Sequence, residues 1–185
     1  MTVDREQVLR AAAALLSRKA TATMGEVAQA AGIGRATLHR HFAGRDALVR
    51  ALEELGLREL EAAVAAAGPE EGDPVAALRR LVAATAPVAP LLTFLITENQ
   101  LFEGEEQMNE GWDRVDAIIC ALFRRGQEEG VFRVDLTATW LTDALYGLIS
   151  AGAWAVQAGR VATKDYPYMI AELVLGGCTR RSVEV

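Results

Sequence analysis

The sequence predicts an all-α protein. Alanine and leucine recur at three- and four-residue steps, sustained period-two alternation is missing, and β-branched residues are sparse. Start and stop signals divide the chain into about nine helices. They suggest a three-helix N-terminal domain over residues 1–46 and a larger helical domain over 47–185.

The first helix runs from about Asp4 to Arg18 and turns Val8, Ala12 and Leu15 inward. Thr23 caps the second, and Glu26, three residues on, completes a capping box. Gly32 closes this helix, with Ile33 placed to pack beneath the turn. Arg35 to His41 forms a short third helix. After Phe42, Ala43 and Gly44, a fourth runs from Arg45 to about Ala67, where Gly68 and Pro69 stop it. Asp73 caps a fifth, whose Pro74 sits in the first turn, where a missing N–H is tolerated. Pro87 and Pro90 break the pattern before a sixth segment through Phe94 to Gln100. A polar loop with Glu103, Gly104, Glu105 and Glu106 leads to a seventh helix, Met108 to Glu129, ended by Gly130. The last pair spans about Leu136 to Ala158 and Thr163 to Gly176, separated by Gly159.

With 51% hydrophobic residues among 185, the chain has material for a buried core. It has no apolar run of about 18 residues to cross a bilayer. Asp4, Arg5 and Glu6 ahead of an alanine-rich stretch do not make a signal peptide. A cytoplasmic location with no membrane partner is expected. Cys120 and Cys178 form neither a CxxC nor a metal-ligand spacing and are read as small buried apolar side chains.

The formal net charge of −6 is unevenly placed. Residues 1–50 hold eight Lys/Arg against four acids, a net +4, together with both histidines, so the remainder carries −10. A small basic module on a large acidic body is expected when one end alone meets phosphates.

The spacing from Thr23 to Phe42 makes that module specific. The second helix ends at Gly32 and the third begins about two residues later, the short glycine-containing turn of a helix-turn-helix. In such a unit the second helix enters the major groove, its N-terminal residues toward base edges. The third helix is too polar for a core element. Arg35, Thr37, His39, Arg40 and His41 are donors, while Leu38 and Phe42, four apart, supply the anchoring face. Ala36 is small enough to let the helix approach the groove and touch a thymine methyl.

Residues 5–50, and above all VAQAAGIGRATLHRHFAGRDAL from Val27 to Leu48, resemble the N-terminal domain of the tetracycline-repressor (TetR) family. The resemblance implies that Thr37 and His39 contact phosphate or sugar, that His41 lies near the DNA backbone and that Arg45 holds a phosphate. Arg35 is then the best placed for base readout, with Ala36, Thr37 and Arg40 beside it. Three positions depart from the family pattern: His39 stands for tyrosine, Arg45 for lysine, and Gly34 and Gly44 for capping serine or threonine. Arginine remains a phosphate binder. Histidine keeps a donor but loses the phenol's reach, and a glycine cap loses only a few tenths of a kcal/mol against serine.

Beyond residue 50 the family resemblance covers architecture alone, and implies an effector-binding and dimerisation domain with the dimer contact in the last two helices. An independent reason lies in Ala144, Gly147, Ala151 and Ala155, small residues at helical spacing that let another helix come close. With Leu148, and with Ile170, Leu173 and Val174 on the next helix, they make a four-helix contact between two copies; the alternative is packing inside one chain. For an effector pocket, Phe94, Glu98, Phe102, Met108 and Trp112 are the large or polar side chains of the middle helices. Phe123, Trp140 and Tyr146 follow them, since aromatic walls suit an organic ligand. Asp143 faces solvent, a dimer partner or a polar ligand.

Enzymatic function is disfavoured. The chain has no HExxH, P-loop, GxSxG or complete GxGxxG, and its two histidines lack the i, i+4 spacing of a metal pair. No cofactor or metal is expected. The sequence reads as a ligand-responsive transcriptional regulator, a repressor that binds a near-palindromic DNA operator as a homodimer and is released by a small-molecule effector of unknown identity. The alternative is a DNA-binding regulator without an effector, controlled by abundance or by a protein partner.

Overall fold

The computed structural model describes residues 4–99 and 109–179, with side chains for all of these except 96–99 and 109. These residues form α1 (Arg5–Leu16), α2 (Met24–Ala30), α3 (Arg35–His41), α4 (Arg45–Ala67), α5 (Pro74–Thr85), α6 (Ala89–Asn99), α7 (Asn109–Glu128), α8 (Ala138–Gln157) and α9 (Tyr166–Cys178). Among the described residues the one strand-like pairing is an isolated antiparallel bridge between Phe132 and Thr179. The chain is all-α, as its periodicity predicts. Pro90 opens α6 as its second residue, a position that needs no intrahelical N–H bond.

The helices form two compact units. The first joins α1, α2, α3, α4 as far as Arg58 and α6 from Pro90. Val8, Leu9, Ala12 and Leu16 of α1 face Val27 and Ala28 of α2, Leu38 of α3 and Phe42. Leu48, Leu52 and Leu55 of α4 and Leu91, Phe94 and Leu95 of α6 complete this core. Each large side chain so buried contributes roughly 1.5–3 kcal/mol. The α1 stripe is centred between Val8 and Leu16, so Leu15 lies at its margin and is only partly buried. The helix-turn-helix ends with α3 at His41, residues 46 and 47 both lie in the first turn of α4, and the core that supports α2 and α3 continues along α4. At Gly56 a Cβ would meet Leu95 Cδ1 at 2.8 Å, so the missing side chain lets α6 lie close on α4.

The second unit holds the end of α4 with α5, α7, α8 and α9. Within it α5 and α8 each pack against both α7 and α9. Leu78 and Leu81 of α5, Phe123 of α7, Leu145 of α8 and Leu175 of α9 are buried there. A Cβ at Gly152 would stand 2.4 Å from the Tyr166 ring, so this glycine admits α9 against α8. Tyr166 Oη donates to the Ile149 carbonyl at 3.1 Å across the same approach. Two arginines hold the α4–α5 connection. Arg80 donates to the carbonyls of Ala67, Gly68 and Glu71, and Arg125 to those of Pro69 and Gly72. Cys120 and Cys178 are buried and not joined in a disulfide, and burial pushes the Cys178 thiol up to about 11. No single helix among the described residues is long and apolar enough to cross a membrane.

Candidate nucleic-acid interface

The α2–α3 turn is built from both ends. At the start of α2 the Thr23 hydroxyl accepts from the Glu26 amide at 3.3 Å, and the Thr23 amide donates to Glu26 Oε2 at 2.7 Å. This is the capping box expected from the sequence. At its end Gly32 has φ +67°, a left-handed conformation that glycine adopts without a Cβ penalty. The Ile33 amide then reaches the Ala28 carbonyl at 3.0 Å and the Gly32 amide reaches that of Gln29 at 3.1 Å. These paired bonds form a Schellman motif, with Ile33 tucked against the core.

Glu26 also accepts from the Lys19 ammonium. That bond, followed by the Thr23 amide, holds the carboxyl down at about 2 against an ordinary 4.5. A carboxyl lowered by folding stabilises the protein above its unfolded value and loses that contribution as pH falls through the folded one. Glu26→Gln should therefore lower the melting temperature at pH 7, and the difference from wild type should close as pH drops from about 4.5 toward 2. Thermal unfolding across that range checks it.

On α3, Leu38 is fully buried and Phe42 nearly so, as the polar pattern requires. The helix therefore leaves Arg35, Ala36, His39 and Arg40 exposed, with Thr37 and His41 partly so. Arg40 donates to the Thr37 hydroxyl at 3.1 Å, which leaves that hydroxyl's proton for an acceptor outside the protein. Among the described residues Arg35 makes no hydrogen bond or ion pair. The Arg5 guanidinium stands 5.0 Å from the centre of the Phe42 ring and adds a cation–π contact at the end of α3.

Arg45 is placed differently from its neighbours. Its guanidinium is partly buried and donates to the carbonyls of Ala22 at 3.0 Å and Ala20 at 2.7 Å, bracing the start of α4 against the α1–α2 loop. Hydrogen bonds to a charged group contribute about 1.5–3 kcal/mol, so Arg45→Ala should lower stability by an amount of that order. If the remaining N–H groups of the same guanidinium also hold a phosphate, as the family resemblance implies, the salt slope of DNA binding should fall by about one. Thermal unfolding and a salt titration measure the two effects separately.

Comparison with known proteins agrees with this geometry. Residues 8–52 match the family model for bacterial regulatory proteins, tetR family. The chain is 32% identical over 175 residues, 94% of each protein, to the HTH-type transcriptional regulator NfxB of Pseudomonas aeruginosa. This chain belongs to the TetR family. It is also 31% identical over 155 residues to the HTH-type transcriptional repressor LfrR of Mycolicibacterium smegmatis, covering 84% of this chain and 80% of LfrR. The crystal structure of LfrR in complex with proflavine is similar with a TM-score of 0.79 at 27% identity, covering 96% of this chain and 97% of that one. The protein is accordingly a TetR-family transcriptional regulator with an N-terminal helix-turn-helix domain, and its relatives are regulators rather than enzymes.

In this TetR-family chain the described residues among those expected at an effector pocket have different surroundings within their own units. Phe94 is 4% exposed in the core of the N-terminal unit, because α6 packs there. Phe123 is buried against Phe132, their ring centres 5.8 Å apart. Trp140 is 58% exposed. Trp112 is partly buried. Phe102 and Met108 lie outside the described residues, as does the side chain of Glu98. Asp143 and Tyr146 do come together, with Asp116 of α7 as their neighbour. Burial, then Asp143 and Asp113, pushes the Asp116 carboxyl above the ordinary range. Burial and the same carboxylates of Asp116 and Asp143 raise the Tyr146 phenol. Asp116 was not singled out in the sequence; its one signal is the i, i+3 repeat with Asp113.

The residues expected at a dimer contact divide between two faces. Ile170 and Val174 are buried inside their own unit, since α9 turns them toward the core. Gly147 and Ala151 are exposed, Ala144, Leu148 and Ala155 partly so, and Leu173 is 60% exposed. Leu148, Ala151, Ala155, Tyr168, Met169 and Leu173 line an open, mainly apolar groove of about 620 Å³ between α8 and α9. Gly152, which admits α9, was not among the small residues expected to do so; its period along α8 resembles theirs and only the packing separates the two sets.

Proposed function

We propose that this TetR-family regulator is a repressor. It binds a near-palindromic operator as a homodimer in the cytoplasm and leaves it when a small-molecule effector binds the C-terminal unit. The observation that carries the DNA half is the division of α3 into an anchored face, Leu38 with Phe42, and an outward face. On that face Arg35 reads bases beside Ala36 and Arg40, and Thr37, His39 and His41 meet the backbone. A symmetric dimer sets two such helices roughly 34–36 Å apart, one turn of DNA.

The exposed apolar side chains of α8 and α9 support a homodimer through these helices. Trp140 and Trp154 share a face of α8 with Gly147 and Ala151, and Tyr168, Met169 and Leu173 are exposed on α9. Large exposed apolar side chains grouped on one pair of helices are characteristic of an interaction surface. The small-molecule half is supported by the LfrR structure, which contains proflavine. Among residues expected at the effector site, Asp143 and Tyr146 stand with Asp116, an acidic and aromatic setting suited to a positively charged aromatic compound. Such a ligand shifts the regulator between DNA-binding and released states by its difference in affinity for the two.

Proflavine is the first probe. Binding should raise the melting temperature and release the protein from operator DNA. If proflavine and a panel of aromatic cations leave both unchanged, control by abundance or by a partner protein becomes the favoured reading.

A further inference from the structure

The Arg35 side chain does not stand straight out from α3. Its guanidinium lies against the backbone of α2 at Gly25, where a Cβ would be 2.8 Å from Nη2, 2.9 Å from Nε and 3.0 Å from Cζ. Gly25 and Arg35 line the same cleft between α2 and α3, beside Thr23, Met24, Leu38 and His39. The adjacent carboxylate does not capture the arginine, because Glu26 is engaged by Lys19 and Thr23. What gives the guanidinium its place is the missing side chain at residue 25. Glycine is among the weakest helix formers, and this one is the second residue of a seven-residue helix. Local helix propensity does not explain it, whereas room for Arg35 does.

We propose that Gly25 is a positioning residue that determines the base specificity of Arg35. With glycine there, the donor fork lies in the α2–α3 cleft and meets base edges from that side of the recognition helix. A side chain at 25 removes the space and pushes the fork outward. Bidentate arginine recognition depends on the fork's position, so the preferred base pair changes. This inference rests on the reading of α3 as the base-reading helix.

The test uses Gly25→Ala in the whole 185-residue chain. Alanine favours the helix, and its Cβ meets only the far end of a flexible side chain, so the variant should melt no lower than wild type. Binding sites are selected from a randomised duplex library, and competition between operators differing at single base pairs gives the discrimination. Gly25→Ala should alter discrimination by at least about fivefold at the base pair in each half-site that depends on Arg35. It should have no further effect in an Arg35→Ala background. Unchanged discrimination in Gly25→Ala, or a change that persists without Arg35, overturns the positioning role while leaving the regulator reading intact. A wild-type protein with no base preference overturns both.

Discussion

Replacing Gly147 with arginine should leave a folded protomer and lower operator affinity by about 100-fold or more. Gly147 is exposed on α8, and a Cβ there meets no heavy atom within 4 Å, so nothing inside the protomer opposes a side chain. Arginine also has a better helix propensity than glycine at this position. The proposed homodimer, however, brings a second copy's helices onto the face that carries Gly147, Ala151 and Trp154. A guanidinium there would have to be buried without a partner, at several kcal/mol. Once dimerisation fails, each recognition helix binds its half-site alone, and the advantage of joining two binding events is lost. Sedimentation should show a monomer, circular dichroism an unchanged helix content, and a mobility-shift titration the weakened binding. A dimer that persists with Gly147→Arg would place the contact elsewhere.

The second large effect concerns sequence discrimination. Arg35→Ala should remove about 1–3 kcal/mol of preference at one base pair per half-site, the measure of a bidentate arginine–guanine contact. The side chain is exposed and makes no hydrogen bond or ion pair among the described residues, so its removal should leave the fold intact. Competition between the operator and single-base variants separates this from a general loss of affinity. An Arg35→Ala protein that retains full discrimination would transfer base reading to Arg40 or His39. The contrast with Arg45→Ala is informative: one arginine is held by shape alone at the surface, while the other is bonded to two carbonyls and braces the domain.

That contrast also shows what the sequence could and could not reveal. The capping box at Thr23 and Glu26, the Gly32 turn and the Leu38–Phe42 anchor are local features. Each depends on residues a few positions apart, and each was legible from spacing. The bonds from Arg45 to Ala20 and Ala22 span more than twenty residues, and nothing in the chemistry of an arginine at the start of a helix announces them. The same limit applies to α8. Ala144, Gly147, Ala151, Gly152 and Ala155 are all small residues on one helix, but only the packing of Tyr166 and Ile170 shows that Gly152 faces the protomer's own core and Gly147 does not. Phe94 could be placed in a pocket from sequence because an aromatic residue suits either a ligand or a core. Its burial with Leu91 and Leu95 against α4 follows from the path of α6, which no local pattern encodes.

Selection of binding sites from a randomised duplex library by the wild-type protein tests whether it reads DNA as a symmetric dimer through α3. An inverted repeat should be enriched, its half-site centres about one DNA turn apart and each half-site with a preferred base pair that depends on Arg35. Recovery of DNA without an enriched motif, or of a single unrepeated motif bound by one protomer, would contradict that reading.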